Sequence, residues 1–233
     1  MAPPAESVRL TDLPEPVRAA AGALFGSALP AAERYAWLLS TEGVTRGLIG
    51  PREAPRIWDR HLLNCAAVAE LVPERVAAID VGSGAGLPGV VLALARPDLT
   101  VTLVEPMARR TTFLTEVVAE LALGDRVQVQ RCRAEEAVGR VPVAEVVTAR
   151  ALARLDRLAA WCLPLTTIGG RLLALKGATA EDEVTAHRSE VVALGGSDPV
   201  VRRCGVGLID PPTVVVEIIH MRSSGQARRR GPR

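Results

Sequence analysis

From residue 76 onward the chain alternates short apolar runs with longer amphipathic segments, and no other feature limits its fold as strongly. The runs lie at 76–81, 101–105, 127–131, 143–148, 170–176 and 214–220, most of them bounded by Gly, Pro or polar residues. Stretches with helical periodicity, such as 87–95, 108–122, 154–163 and 180–193, stand between them. Near-continuous Val, Ile and Leu runs mark strands buried on both faces, as in a parallel sheet covered by helices. The pattern predicts an α/β fold with a doubly wound sheet. The last crossover departs from it: residues 194–212 hold Gly195, Gly196, Pro199, a short Val200-Val201 run and Asp210-Pro211-Pro212, with no helical period. A final antiparallel hairpin fits that stretch better than a helix, which makes seven strands, mostly parallel.

Residues 14–72 read as helical, with Pro14, Pro16, Leu29-Pro30 and Pro51 marking starts and stops. Trp58, Leu62, Cys65, Ala69 and Val72 fall on one stripe at 3.6 residues per turn, so this N-terminal helical cap must bury that stripe on something. The expected organisation is a flexible start at 1–13, the cap at 14–75, the α/β domain at 76–221 and a basic tail at 222–233. A chain of 233 residues can bury a large core without a disulfide or structural metal.

Charge is divided along the chain. The tail carries five Arg and no acid, so the formal +2 of the whole splits into +5 for residues 222–233 and −3 for 1–221. The tail has the composition of a disordered arm able to add a salt-sensitive, sequence-independent phosphate contact. Aromatic residues make up only 3%, too few for an extended base-stacking platform. Cys65, Cys132, Cys162 and Cys204 are scattered without a C-x-x-C pair, and no His stands at zinc-finger spacing, so no metal site is expected. The start lacks the basic and apolar regions of a signal peptide, and no apolar stretch approaches ~18 residues. A soluble cytoplasmic protein with free thiols and no membrane partner is expected.

The chemistry points to residues 79–91, where a strand turns through Gly82-Ser83-Gly84-Ala85-Gly86-Leu87-Pro88-Gly89 into a helix. Such a loop admits positive φ, and the helix start offers free N–H groups to a polar ligand. Gly84 to Gly89 satisfies G-x-G-x-x-G, which keeps a dinucleotide and a nicotinamide-dependent oxidoreductase in play. Two features favour S-adenosyl-L-methionine. The turn begins at Gly82, so the dinucleotide pattern is displaced by two residues from where a pyrophosphate needs it. Asp80 ends the strand with a carboxylate that repels a pyrophosphate but tolerates an ammonium and a sulfonium. Glu105, ending the second strand, is placed for ribose hydroxyls of either cofactor.

Among methyl transfers, those to exocyclic amines commonly use an Asn/Asp-Pro-Pro-aromatic motif after the fourth strand, where this chain has Val147-Thr148-Ala149-Arg150-Ala151. Asp210-Pro211-Pro212-Thr213 lacks the aromatic and reads as a turn. Pyrimidine C5 methylation needs a Cys nucleophile near the central strand ends, and none stands there; Cys162 reads as core. Transfer to an atom that already presents a lone pair, such as a purine ring nitrogen, needs alignment and no general base.

The run from Asp80 to Gly89, with Arg60-His61-Leu62-Leu63, Ala149-Arg150-Ala151 and Leu175-Lys176-Gly177, resembles the ribosomal RNA small-subunit methyltransferase G family, also called glucose-inhibited division protein B. The resemblance covers roughly residues 30–220, and the Gly-Leu-Pro-Gly ending paired with Arg-His-Leu-Leu makes it specific. It implies a Rossmann-like class I S-adenosylmethionine-dependent methyltransferase that methylates N7 of a guanine, position 527 in the usual rRNA numbering, in 16S ribosomal RNA or the small ribosomal subunit particle. Carried over by residue, it implies that Gly82 and Leu87 line the cofactor, Ala134 and Glu135 contact its adenine region, and Arg150 reaches the cofactor and the reaction site. With Asp80, Gly84, Gly86 and Glu105 these make up the expected cofactor set. The family usually continues Arg-His-x-Leu with Asp-Ser, whereas this chain has Asn64-Cys65, read as a packing or hydrogen-bonding position.

His61, Arg150 and Lys176 are the expected catalytic residues. His61 serves either as a hydrogen-bonded structural histidine or as a substrate contact. Arg150 stands where open α/β sheets place their ligand, against the reading of an ordinary ion-pair partner. Lys176 is the one Lys among 28 basic residues, which suggests a compact ammonium is wanted there, against a solvated strand-end charge. The protein is expected to act as a monomer; a non-catalytic RNA-binding assembly protein is the reading from another class.

Overall fold

The structure, a computed structural model, describes residues 9–222; the predicted basic tail beyond Arg222 and the first eight residues of the predicted flexible start lie outside the described residues. Seven strands form one sheet: β1 (Ala77–Val81), β2 (Thr100–Val104), β3 (Val127–Gln130), β4 (Ala144–Arg150), β5 (Thr166–Lys176), β6 (Val200–Cys204) and β7 (Thr213–Ile219), in the order β3-β2-β1-β4-β5-β7-β6. The first five are parallel neighbours, and β7 runs antiparallel between β5 and β6. The doubly wound sheet with its final hairpin is as the apolar runs require.

β5 starts earlier than its apolar run. Thr166 already pairs with Ala144, and the register then shifts before Val146 meets Arg171. Gly170 lies in that irregularity, where a Cβ would come 2.6 Å from the Glu145 carbonyl oxygen. Residues 167–169 are not fully buried, so hydropathy does not mark them.

The cap comprises α1 (Glu15–Phe25), α2 (Leu29–Leu38) and α3 (Leu63–Ala67), the last preceded by a wide π turn over Ile57–Leu62 and followed by a tight 3-10 turn over Val68–Leu71. The predicted single stripe is only part of what this segment buries. Trp58, Leu62, Cys65 and Val72 are inside, but so are Ile57, Leu63, Ala66, Ala67 and Val68, while Ala69 is half-buried. Two physical causes act together. The wide and tight turns break the 3.6-residue period, and α1, α4 (Gly89–Ala95) and β7 enclose the helix on several sides.

α4 is apolar all round because the cap covers its outer side and the sheet its inner side. Phe25, Tyr35, Leu62, Val90, Leu92, Leu103 and Leu173 belong to one continuous core. α5 (Ala108–Glu120) extends that layer. On the opposite face α7 (Leu155–Cys162) and α8 (Ala180–Ala193) close a second core holding Val147, Leu158, Cys162, Leu172 and Val216. The short α6 (Ala134–Ala137) follows β3 and was not signalled by periodicity, since four residues carry too little of it.

Candidate functional site

Strand order reverses between β1 and β4, and in open α/β sheets the crevice at that point, outside the carboxyl ends of the strands, is where ligands bind. The glycine loop leaves β1 on one side of the crevice and Arg150 ends β4 on the other, one residue past the pairing of Val81 with Ala149.

The loop is hung from its neighbours. Gly82 N and Ser83 N donate to the Val104 carbonyl at 2.8 and 3.1 Å, and Gly84 N donates to Glu105 Oε2 at 3.0 Å. From the cap, the Tyr35 hydroxyl donates to the Ala85 carbonyl at 2.7 Å. Gly86 has φ +101°, and a Cβ there would come 2.6 Å from the Tyr35 hydroxyl, so the loop and the cap helix fit only with glycine at this position. Tyr35 is fully buried, and burial pushes its hydroxyl well above the usual phenol range, which keeps it a donor. No periodicity pointed to it as a site residue; its one signal is that it is the only Tyr in the chain.

Asp80 lies beneath the loop. It is 1% exposed; Oδ1 accepts the Thr148 hydroxyl at 2.8 Å and Oδ2 accepts Gly89 N at 3.1 Å. Both oxygens of the carboxylate, expected to tolerate an ammonium and a sulfonium, accept hydrogen bonds inside the protein and fasten the start of α4 to β1 and β4. Gly89 allows the close approach, because a Cβ would come 2.8 Å from Asp80 Oδ2 and 2.4 Å from Leu103 Cδ2. Burial raises the Asp80 pKa to about 6, against the hydrogen bonds from Thr148, Gly89 and Ser83 that hold it down. Glu105 is also 1% exposed, its oxygens accepting Gly84 N and Met107 N at 3.0 Å each, with Arg110 3.5 Å away. Glu105 N donates to the Gln130 carbonyl at 3.1 Å, so the exit of β3 lies beside it. Ala134 and Glu135 start α6 just beyond that exit, the first half-buried and the second exposed. Leu87 is buried in the core under the loop, and the Leu152 side chain lies over Gly82, 2.7 Å from where a Cβ would stand.

Arg150 is held by one helical segment of the cap. Its Nη1 donates to Cys65 Sγ at 3.1 Å, and its Nη2 donates to His61 Nδ1 at 2.6 Å and the Arg60 carbonyl at 3.5 Å. Its polar neighbours are thus neutral, and among the described residues no carboxylate lies within ion-pair distance of it. The guanidinium thus stands at the mouth of the crevice without a direct ion-pair partner among the described residues. His61 Nε2 lies 3.0 Å from Glu53 Oε2. Burial, then the charge of Arg150, lowers the His61 pKa, so the ring is neutral near pH 7. His61 therefore meets Arg150 and does not line the cavity described next.

A cavity of about 630 Å³ opens beside Arg150 at the carboxyl ends of β4 and β5 and the start of β7. Arg60, Arg150, Lys176 and Arg203 line it, with Asn64 and the Pro211-Pro212 turn. The turn reading of Asp210-Pro211-Pro212 holds, yet the turn forms a wall of the pocket. Lys176 is not a solvated strand-end charge: Nζ donates to Glu183 Oε1 at 2.9 Å and to the Ala153 carbonyl at 2.8 Å. Glu183 also accepts Leu155 N at 2.8 Å, so the pair pins the segment between β4 and α7. Asn64, standing where the family usually has Asp, accepts the Thr213 hydroxyl at 3.1 Å through its side-chain oxygen and donates its amide to the Arg60 carbonyl at 3.2 Å, a bond a carboxylate could not make.

The fold is similar to that of solved structures of low sequence identity. The fibrillarin/Nop5p complex matches with a TM-score of 0.52 at 12% identity, covering 67% of this chain and 80% of that one. A precorrin-6y C5,15-methyltransferase from Geobacter metallireducens matches with a TM-score of 0.50 at 13% identity, covering 74% and 90%. Sequence relatives are far nearer. Proteins named ribosomal RNA small subunit methyltransferase G match at 61% identity in Salinispora tropica, covering 95% of this chain and 93% of the relative, and at 52% in Streptomyces avermitilis, covering 96% and 92%. The family model for rRNA small subunit methyltransferase G matches residues 28–208, which takes in α2, the loop beneath Tyr35, the Arg150 cluster and most of the cavity wall. The switch-point crevice, its glycine loop and these matches lead to one conclusion: the chain belongs to the rRNA small subunit methyltransferase G family.

Proposed function

We propose that the protein transfers the methyl group of S-adenosyl-L-methionine to N7 of a guanine in 16S ribosomal RNA, position 527 in the usual numbering, acting as a cytoplasmic monomer on a small-subunit particle. The observation that carries this reading is the cavity wall beside Arg150. It presents four cations and no Cys or His, and its one carboxylate, Glu181, faces Arg203 at 3.7 Å. A wall of that kind suits a polyanion, and it holds neither a thiol nucleophile nor a free base. Guanine N7 needs neither, because its lone pair is already in place.

The residues around the loop fit the donor. S-adenosyl-L-methionine supplies a methyl group activated by a sulfonium centre. Gly82, Gly84, Gly86 and Leu87 shape the floor, and Glu105 exchanges its backbone N–H partners for ribose hydroxyls. Ala134 and Glu135 border the adenine side, and Arg150 takes the methionine carboxylate or the base O6. Asp80 acts from below by holding the loop's helix. Methylation at N7 leaves the purine cationic, so excess positive charge near the base is unfavourable. Here Lys176 is compensated by Glu183 and Arg203 by Glu181, with side-chain exposures of 12% for Lys176 and 64% for Arg203. Lys176 then acts by fixing the Ala151–Arg154 connection, and Arg60 and Arg203 meet RNA phosphates. In this reading residues 14–75 form the cap that sets the loop, and residues 76–221 form the catalytic domain.

The test is incubation of small-subunit particles from cells lacking the protein with tritiated S-adenosyl-L-methionine, followed by nucleoside analysis. Label in 7-methylguanosine is expected, and label in another nucleoside refutes the acceptor assignment. Calorimetry with S-adenosyl-L-homocysteine against NAD decides the donor; binding of NAD alone would return the loop to the dinucleotide reading.

A further inference from the structure

The strongest contact at Arg150 is made by a side chain that touches neither loop nor cavity. A guanidinium has no acceptor, so the 2.6 Å contact from Arg150 Nη2 requires an unprotonated His61 Nδ1. The ring proton must then sit on Nε2, where Glu53 Oε2 accepts it at 3.0 Å. Glu53 Oε1 meets Arg60 Nη1 on the cavity rim at 3.4 Å. One carboxylate thus joins the cation on the acceptor side to the imidazole that holds the cation on the loop side. The other partners of Arg150 are weaker acceptors: a thiol sulfur, and a carbonyl 3.5 Å away.

We infer that His61, oriented by Glu53, is a positioning residue that fixes Arg150 through its neutral ring, and that protonation of His61 releases the guanidinium and disables the site. The inference rests on Arg150 as a cofactor-binding residue. Protonation turns Nδ1 from acceptor to donor and sets two cations against each other across 2.6 Å. The charged groups at the ring are Glu53, Arg60 and Arg150, which bear on its titration in opposite senses. Cys65 of α3, Tyr35 of α2 and Asp80 of β1 lie beyond, around the guanidinium. Glu53 keeps a proton acceptor on Nε2 in either state, so the change falls on the Arg150 side. Burial and the charge of Arg150 hold the ring neutral to below the ordinary histidine value of 6.5.

The experiment measures S-adenosyl-L-homocysteine binding by calorimetry from pH 8 to pH 5 for the full-length wild type, His61→Asn, His61→Phe and Arg150→Ala, each checked by thermal melting. Asn places an oxygen where Nδ1 stands and does not titrate. At pH 8, His61→Asn should bind within about three-fold of wild type and His61→Phe about ten- to a hundred-fold more weakly, the range for losing a hydrogen bond to a charged group. On acidification the wild type should lose affinity relative to His61→Asn with the slope of one proton. Asp80 titrates in both proteins and cancels in that ratio. Nitrogen NMR of His61 should show the Nε2–H tautomer at pH 8 and a pKa that rises in Arg150→Ala. Wild-type binding by Arg150→Ala would remove the underlying reading. Weak binding by Arg150→Ala, together with wild-type binding by a well-folded His61→Phe, would overturn the positioning role alone. An unchanged pH profile in His61→Asn, or a His61 pKa indifferent to Arg150→Ala, would also overturn it.

Discussion

Replacing Tyr35 by Phe removes a single hydroxyl from the junction between the cap and the glycine loop. That hydroxyl is fully buried and donates to the Ala85 carbonyl at 2.7 Å, and Ala85 is 7% exposed, so water does not readily take its place. Leaving a buried carbonyl without its donor costs about 1–3 kcal/mol. At about 2 kcal/mol, a chain of this size should melt roughly 4–8 °C lower. The hydroxyl also bounds the space at Gly86, so its loss lets the Ala85-Gly86 turn relax away from the geometry that faces the crevice. Two assays report separately: calorimetric melting gives the stability change, and titration with S-adenosyl-L-homocysteine gives the loop's competence. Tyr35→Phe is expected to lower both. A variant that melts within a degree of wild type and binds the ligand equally would refute the claim that the cap positions the loop.

Three further outcomes follow from the same geometry. Asp80 has its folded pKa raised from 3.8 to about 6, so its stabilising contribution is present at low pH and is lost as pH rises through about 6. Between pH 5 and pH 8 the wild type should lose about 1 kcal/mol of unfolding free energy relative to Asp80→Asn, read by urea denaturation; parallel curves would contradict a buried, titrating carboxyl. Lys176→Met should cost roughly 3 kcal/mol, the low end for a largely buried pair because Glu183 keeps the Leu155 N–H, while ligand affinity changes less than about three-fold. Unaltered melting with a large loss of ligand affinity would instead place the ammonium on the ligand. Arg203→Ala, whose partner Glu181 is exposed, should leave melting unchanged and lower the salt slope of RNA binding by about one; an unchanged slope removes Arg203 from the phosphate contacts.

The sheet was legible because both of its faces are covered, which writes each central strand as an apolar run; β6, with Arg202 and Arg203 exposed, was readable only as a short Val-Val pair beside turn residues. The glycine loop and Arg150 were legible for a similar reason, since a turn between buried elements and a charge at a strand end both interrupt a pattern. What the sequence hid is what depends on distant partners. Tyr35 and Ala85 are fifty positions apart, and His61 and Arg150 eighty-nine. Periodicity reports which way a side chain faces along its own element and is silent about which distant group it meets. Asp80 has the same cause: its place beside the loop was legible, but not that Thr148 and Gly89 use both of its oxygens. Lys176 was noticed through rarity, a signal that marks a special position without saying whether the ammonium faces a ligand or Glu183.

The central claim is tested most directly by mapping N7-methylguanine along 16S ribosomal RNA from cells that lack the protein and from the same cells supplied with wild type or Arg150→Ala. One guanine should lose its mark without the protein, regain it with wild type and remain unmarked with Arg150→Ala. A complete set of N7 marks in the cells that lack the protein would contradict the account.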